Sequence, residues 1–160
     1  MSVTIRQAGT EDAPAVLRLI EALADYEHLA PPDATAQARF VADGWQEGEG
    51  RPRFEAFLAE VEENGTTFAV GYAVTFETYS SFLARPTLYL EDIFVLPEFR
   101  RHGVGSAMMR HLIALAERRN CGRMEWVVLD WNTSAQKFYQ KFGAIHLKEW
   151  HSYRLNFNRG

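Results

Sequence analysis

The chain has 160 residues, 47% of them hydrophobic and 24% charged, and its 17 basic and 21 acidic side chains leave a formal charge of −4. That length suits one domain with a real core, and the small acidic surplus argues against a nucleic-acid partner. With Cys121 the only cysteine, no basic-then-apolar leader, and no apolar run near the ~20 residues that span a bilayer, the expectation is one cytoplasmic domain over residues 1–160 without membrane contact.

Residues 3–7 alternate as a short strand, with Val3 and Ile5 on one side and Thr4 and Arg6 on the other. Thr10 is placed to cap a helix, with Glu11 and Asp12 in its first turn, where the positive dipole end favours them. Val16, Leu19, Ile20, Leu23 and Ala24 then form a stripe at helical spacing. Pro31 and Pro32 interrupt the chain before a second helix over 35–45, and 48–52 reads as a loop. Strands are predicted over 54–61 and 66–78, joined by a turn at Asn64-Gly65, a strong hairpin signal.

Residues 79–86 read as a loop and 87–95 as the next strand. A helix over 104–119 buries Val104, Met108, Leu112 and Leu115. After it come a strand over 124–129, a short helix over 134–142, and closing strands at 145–147 and 153–157. The fold class expected from this order is α/β: a single domain with a mixed, mostly antiparallel sheet and helices on both faces.

The segment Arg100-Arg101-His102-Gly103-Val104-Gly105-Ser106 lies between a strand and a helix. The first N–H groups of a helix lack intrahelical partners and sit at its positive end, so they form an anion site. Glycine admits a phosphate close to the backbone. No P-loop is present, and Met108 holds the place where a dinucleotide fingerprint needs its last glycine. By residues alone, the ligand stays open, and a glycine-assisted loop with solvated arginines is the alternative. The histidines, His28, His102, His111, His146 and His151, show no metal-ligand spacing, so no metal is expected. Cys121, at a helix-to-strand turn, has no base to activate it.

Arg100-x-x-Gly103-x-Gly105 follows a strand ending Ile93-Phe94-Val95, and further on come Trp131-Asn132 and Phe138-Tyr139-x-x-Phe142-Gly143-Ala144. Together these motifs resemble the GNAT superfamily of acetyl-CoA-dependent N-acetyltransferases. Leu88-Tyr89-Leu90-Glu91-Asp92 narrows the similarity to the diamine (spermidine/spermine) branch, which includes thialysine acetyltransferases. The resemblance implies a splayed pair of strands for the pantetheine arm of acetyl-CoA. Backbone groups of Ile93, Phe94 and Val95 would hold the arm, and Arg100, Arg101, His102, Gly103, Val104, Gly105 and Ser106 would take the pyrophosphate end. Asn132, Ser134 and Ala135 would line the other side, with Phe142 at the far end. A homodimer is implied by the same branch.

The acceptor implied is a small primary amine, which arrives protonated at neutral pH and must lose a proton before it attacks a thioester. Glu91 is the candidate base, through water; by spacing alone it reads equally as a structural carboxylate. Strict alternation puts Glu91 with Tyr89 and Ile93 and places Asp92 on the opposite face, unless a β-bulge intervenes. Asp92 is a candidate for binding the amine cation. Main-chain N–H groups near Phe94 are candidate oxyanion donors. Tyr139 matches the family's leaving-group acid, although by spacing alone it is an ordinary core aromatic. For the amine, the resemblance points to Tyr26, Glu27, Glu91, Glu125, Trp126 and Val127, since carboxylates and aromatic faces suit an ammonium ion. Polyamine enzymes carry an acid followed shortly by Trp after the Thr-Tyr pair. Here the chain reads Tyr79-Ser80-Ser81-Phe82, so a shorter diamine, an amino-acid side chain or a thialysine-like amine fits equally. A peptide amine acetyltransferase and a non-catalytic acetyl-CoA sensor are the rival readings.

Overall fold

A computed structural model describes residues 1–45 and 50–159. Two compact units divide the chain, Met1–Trp126 and Val127–Gly160.

The first unit is built on a five-stranded sheet in the order β1-β2-β3-β4-β5. Its strands are β1 (Ser2–Gln7), β2 (Glu55–Glu63), β3 (Thr66–Ser80), β4 (Arg85–Val95) and β5 (Arg123–Glu125). The first four form an antiparallel meander, and β5 joins β4 in parallel. The mixed, mostly antiparallel sheet matches the expectation from sequence. The β2–β3 turn also forms as expected, because Asn64 (φ 53°) and Gly65 (φ 77°) both take the left-handed conformation that such a turn needs.

Helices cover both faces. On one lies α1 (Ala13–Tyr26), with α2 (Ala34–Gly44) after it. Val16 and Leu19 of α1 join Leu58, Tyr72, Val74 and Phe94 of the sheet in one apolar cluster, with Phe40 and Trp45 packed against it. On the other face α3 (Val104–Arg118) buries Val104, Met108, Met109 and Leu112. The alternation of β2 is visible here: Leu58 belongs to the α1 cluster, while the neighbouring Phe57 ring packs on His111 of α3 at 5.7 Å. Ion pairs clamp the edges. Arg6 of β1 grips Asp12 at 2.7 and 2.8 Å and Glu60 of β2 at 2.6 Å, and Arg119 takes Glu55 at 2.6 and 2.8 Å.

Several boundaries differ from the sequence reading. Thr10 does not cap α1: residues Thr10–Asp12 form a 3-10 turn whose entry is held by the Asp12 carboxylate accepting from Gly9 N at 2.8 Å. The expected loop over 79–86 shrinks to residues 81–84, because β3 and β4 stay paired out to Ser80 and Arg85. The expected strand at 124–129 is only Arg123–Glu125. Gly48 and Glu49 of the expected loop lie outside the described residues.

The second unit holds α4 (Thr133–Gln140) and irregular chain around it. Neither closing strand forms among its described residues. At the first, tight bonds from Lys148 N to His146 O and from Trp150 N to Leu147 O bend the chain into turns. At the second, the apolar alternation of Tyr153, Leu155 and Phe157 is present but has no ladder partner; alternation alone does not make a strand. No described helix is long and apolar enough to cross a membrane.

Candidate active site

The glycine-rich turn lies between β4 and α3. β4 ends at Val95, a short turn Pro97–Phe99 follows, and α3 starts at Val104 with Gly103 as its cap residue. Gly103 sits at φ 79°, in the left-handed region that only glycine enters freely, and nothing lies within 4 Å of where its Cβ would stand. No side chain caps α3. Its first N–H groups therefore have no capping side chain at the positive end of a 15-residue helix, which fits a phosphate group. Arg101 adjoins it at φ 65°. Arg100 turns elsewhere: its Nε donates to Val95 O at 2.9 Å, and its guanidinium lies 4.7 Å from the Tyr26 ring centre and 5.3 Å from that of Phe94.

β4 has an outer edge fit for a second backbone. β5 pairs with it only at Thr87, Leu88 and Tyr89, opposite Arg123, Met124 and Glu125. Beyond Tyr89 no described strand pairs with that edge, so alternate backbone groups through Ile93, Phe94 and Val95 point outward unladdered. The resemblance implied a splay between this strand and one running to residue 129; β5 instead ends at Glu125, so β4 is left with a free edge rather than a parted neighbour.

The expected strict alternation of β4 fails. Leu90 stands opposite Thr75 and Asp92 opposite Val74, so Glu91 is an extra residue, a β-bulge. The bulge inverts the phase of the strand. Residues that face each other across a ladder share a face, so Asp92 lies with Val74, and Phe94 with Tyr72, on the α1 side. Asp92 also shares the side of Tyr89, which pairs with Phe76 and packs on its ring at 5.2 Å. Glu91 itself is exposed.

Around Asp92 the face is acidic and aromatic. Burial is the main reason its pKa is pushed up to about 6, with the charges of Glu91 and Glu27 adding to it; a hydrogen-bonding influence from the Tyr72 hydroxyl pulls the other way. Glu27, at the C-terminal end of α1, is raised as well by burial. The Tyr26 ring stands 6.1 Å from that of Phe94. Tyr72 is held far above the ordinary phenol range, first by burial and then by the Asp92 charge. Its Oη nonetheless makes no hydrogen bond of ordinary length, and neither does the buried Thr75 Oγ1 beside the bulge. Leaving such a group unpaired costs about 1–3 kcal/mol.

The sequence reading missed Tyr72 and Tyr89. Tyr72 reads as one more apolar residue in the alternation of β3, and only the bulge on the neighbouring strand brings an acid to it. Tyr89 is raised by burial and by the charges of Glu91 and Glu125, two of the expected acids. Glu125 pairs with Arg123 at 2.9 Å, while Trp126 is half-buried at the end of the unit. Among the described residues no cluster of acids, histidines or cysteine is arranged to hold a metal.

In the second unit, the Asn132 side chain accepts from Ala135 N at 3.2 Å and caps α4. Ser134 and Ala135 form the first turn. Tyr139 follows, its ring 5.5 Å from that of Phe138, which in turn meets Phe142 at 5.3 Å. Val127 opens the unit.

A positively polarised helix end and a carboxylate-rich aromatic face thus lie at two ends of one short stretch of chain, suited to an anionic and a cationic ligand. Comparison with known proteins identifies the family. The acetyltransferase (GNAT) family model matches residues 18–144. The thialysine N-epsilon-acetyltransferase of Sus scrofa is 37% identical over 162 aligned residues, covering 96% of this chain and 92% of its own length. A human spermidine/spermine N(1)-acetyltransferase-like protein is 32% identical over 95% of this chain and 22% of its own length. A solved structure described as a probable acetyltransferase superposes with a TM-score of 0.82 at 22% identity, covering 98% of this chain and 99% of its own, which supports the fold. The chain belongs to the GNAT family and is an acyltransferase.

Proposed function

We propose that this acyltransferase moves an acetyl group from acetyl-CoA directly to a primary amine of a small molecule, a diamine, polyamine or thialysine-like amine, with no covalent enzyme intermediate. One observation carries the reading: the bulge at Glu91 turns Asp92 to the face where Glu27 and Tyr72 act on it, on the strand that leads into the α3 cradle. The relatives named for thialysine and for spermidine/spermine point to acceptors with an alkyl ammonium group.

The cradle's open helix end and left-handed Gly103 fit a phosphate-bearing ligand. In this reading Arg101, His102, Gly103, Val104, Gly105 and Ser106 hold the pyrophosphate. Arg100 shapes the adjoining wall from beneath. Backbone groups of Ile93, Phe94 and Val95 hold the pantetheine amides along the outer edge of β4, and Asn132, Ser134, Ala135 and Phe142 complete the cofactor's surroundings. Acetyl-CoA, when bound, supplies a thioester carbonyl carbon that accepts the amine lone pair as its C–S bond breaks. Glu91, exposed to solvent, takes the amine proton through water. The Phe94 N–H steadies the carbonyl oxygen. Tyr139 gives its proton to the departing sulfur. Tyr26, Glu27, Asp92, Glu125, Trp126 and Val127 receive the acceptor. The reading includes a homodimer in the cytoplasm.

The test is release of free CoA from acetyl-CoA across a panel of amines. Turnover on diamines or thialysine, strongly slowed by Tyr139→Phe, is expected. Tight acetyl-CoA binding with no turnover would favour a sensor, and turnover on peptides alone would favour a protein acetyltransferase; either overturns the proposal.

A further inference from the structure

Tyr72 is fully buried, at 0% exposure, and its hydroxyl has no hydrogen-bond partner among the described residues. Directly opposite, Phe94 fills the equivalent place on β4 with a bare ring. A second phenylalanine would therefore pack here without an orphaned polar atom, and a buried orphan calls for an explanation.

The register supplies one. Tyr72 pairs with Phe94 and Asp92 with Val74, so Tyr72 and Asp92 are diagonal neighbours on one face, a separation that a long side chain spans. Each acts on the other's protonation: the hydroxyl favours the charged form of Asp92, and the charge of Asp92 keeps the phenol protonated. The other groups facing Asp92 oppose its charge. They are Glu27 at the end of α1 and Glu91 on its own strand. The cation of this face, Arg100, is committed to the Tyr26 and Phe94 rings and to Val95 O. Tyr72 is thus the donor placed to keep a crowded acid ionised.

We propose that Tyr72 is a positioning residue, whose hydroxyl donates to the Asp92 carboxylate whenever that group is ionised and so keeps Asp92 as the anionic seat for an ammonium group of the acceptor. This rests on the reading of the protein as a small-amine acetyltransferase. Tyr72 touches no reacting atom. A modest turn of the Asp92 side chain closes the contact, and the approaching ammonium favours the charged form that accepts it. Without the hydroxyl, Asp92 faces two other carboxylates in a buried setting and takes up a proton more readily, losing its pull on the amine.

The full chain, labelled at aspartate carboxyl carbons, is titrated by NMR, with Asp92→Asn identifying the Asp92 signal. In Tyr72→Phe that signal is expected to titrate about one pH unit higher than in the wild type. An unmoved titration in a folded variant overturns the proposal. In kinetics, Tyr72→Phe should raise KM for 1,4-diaminobutane about tenfold at pH 7, change kcat little, and shift the acid limb of kcat/KM upward. In an Asp92→Asn background the same substitution should add nothing; full additivity also overturns the proposal. Absence of turnover on every amine would sink the acetyltransferase reading and the seat with it. The two failures are separable, because the carboxyl titration needs no turnover.

Discussion

The guanidinium of Arg100 lies 4.7 Å from the centre of the Tyr26 ring while its Nε donates to Val95 O at 2.9 Å. One side chain therefore ties the end of α1 to the end of β4. Arg100→Ala is expected to lower stability by about 1–3 kcal/mol, from the lost hydrogen bond and ring contact. Arg100→Lys should not restore it, since an ammonium cannot both donate sideways and lie flat on a ring. Urea unfolding decides the matter, and a lysine variant as stable as the wild type would contradict it.

Gly103 makes a separate prediction for the cradle. At φ 79° a β-branched residue is strained by roughly 1–2 kcal/mol, although space for it exists. Gly103→Val should weaken CoA binding in calorimetry, and Gly103→Asn, tolerant of that backbone, should weaken it less. Equal affinities for all three proteins would remove the cradle from the donor site.

Tyr139→Phe keeps the ring that packs with Phe138 and removes the hydroxyl, the proposed proton donor. A loss of about 10²–10⁴ in kcat is expected for an acid at the leaving group, with acetyl-CoA affinity unchanged. Thiol release and calorimetry check the two halves.

Two acids should show opposite pH signatures in stability. The bidentate grip of Arg6 holds the Asp12 carboxyl below its ordinary range. Its contribution is present at neutral pH and is lost as the pH falls through the depressed value. Asp12→Asn should therefore destabilise at pH 7 and matter little in strong acid. Asp92, raised to about 6 chiefly by burial, binds its proton more tightly when folded. It favours the native state below its unfolded value, about 3.9, and that benefit fades as the pH climbs through 6. Asp92→Asn should gain about 1–3 kcal/mol over the wild type at pH 8 and little at pH 4. Thermal unfolding of both variants across pH reads the signs directly.

The sequence was informative where chemistry is local. Asn64-Gly65 announces its turn, because two left-handed residues in a row need little else. Gly103 marks the start of α3, and Asn132 sits at the cap of α4, where the resemblance pointed it at a ligand. What was not legible depends on pairing across the sheet. The phase of Asp92 is set by Val74 and Thr75 on another strand, and nothing near Glu91 in the chain announces the extra residue. Tyr72 stayed hidden for the same reason. The closing strands failed similarly: Tyr153, Leu155 and Phe157 alternate well, but a ladder requires a distant partner that periodicity does not name.

The bulge also makes Glu91 two kinds of residue at once. Exchanging its side chain, as in Glu91→Gln, removes a charge and leaves the ladder alone. Deleting it removes a spacer. Residues 85–90 would then have to roll half a turn to keep pairing with β3, swinging the buried Leu88 and Leu90 out from under α3 and bringing Tyr89 in beneath it. A point substitution at this site is thus a question of chemistry, and a one-codon deletion a question of whether the sheet assembles.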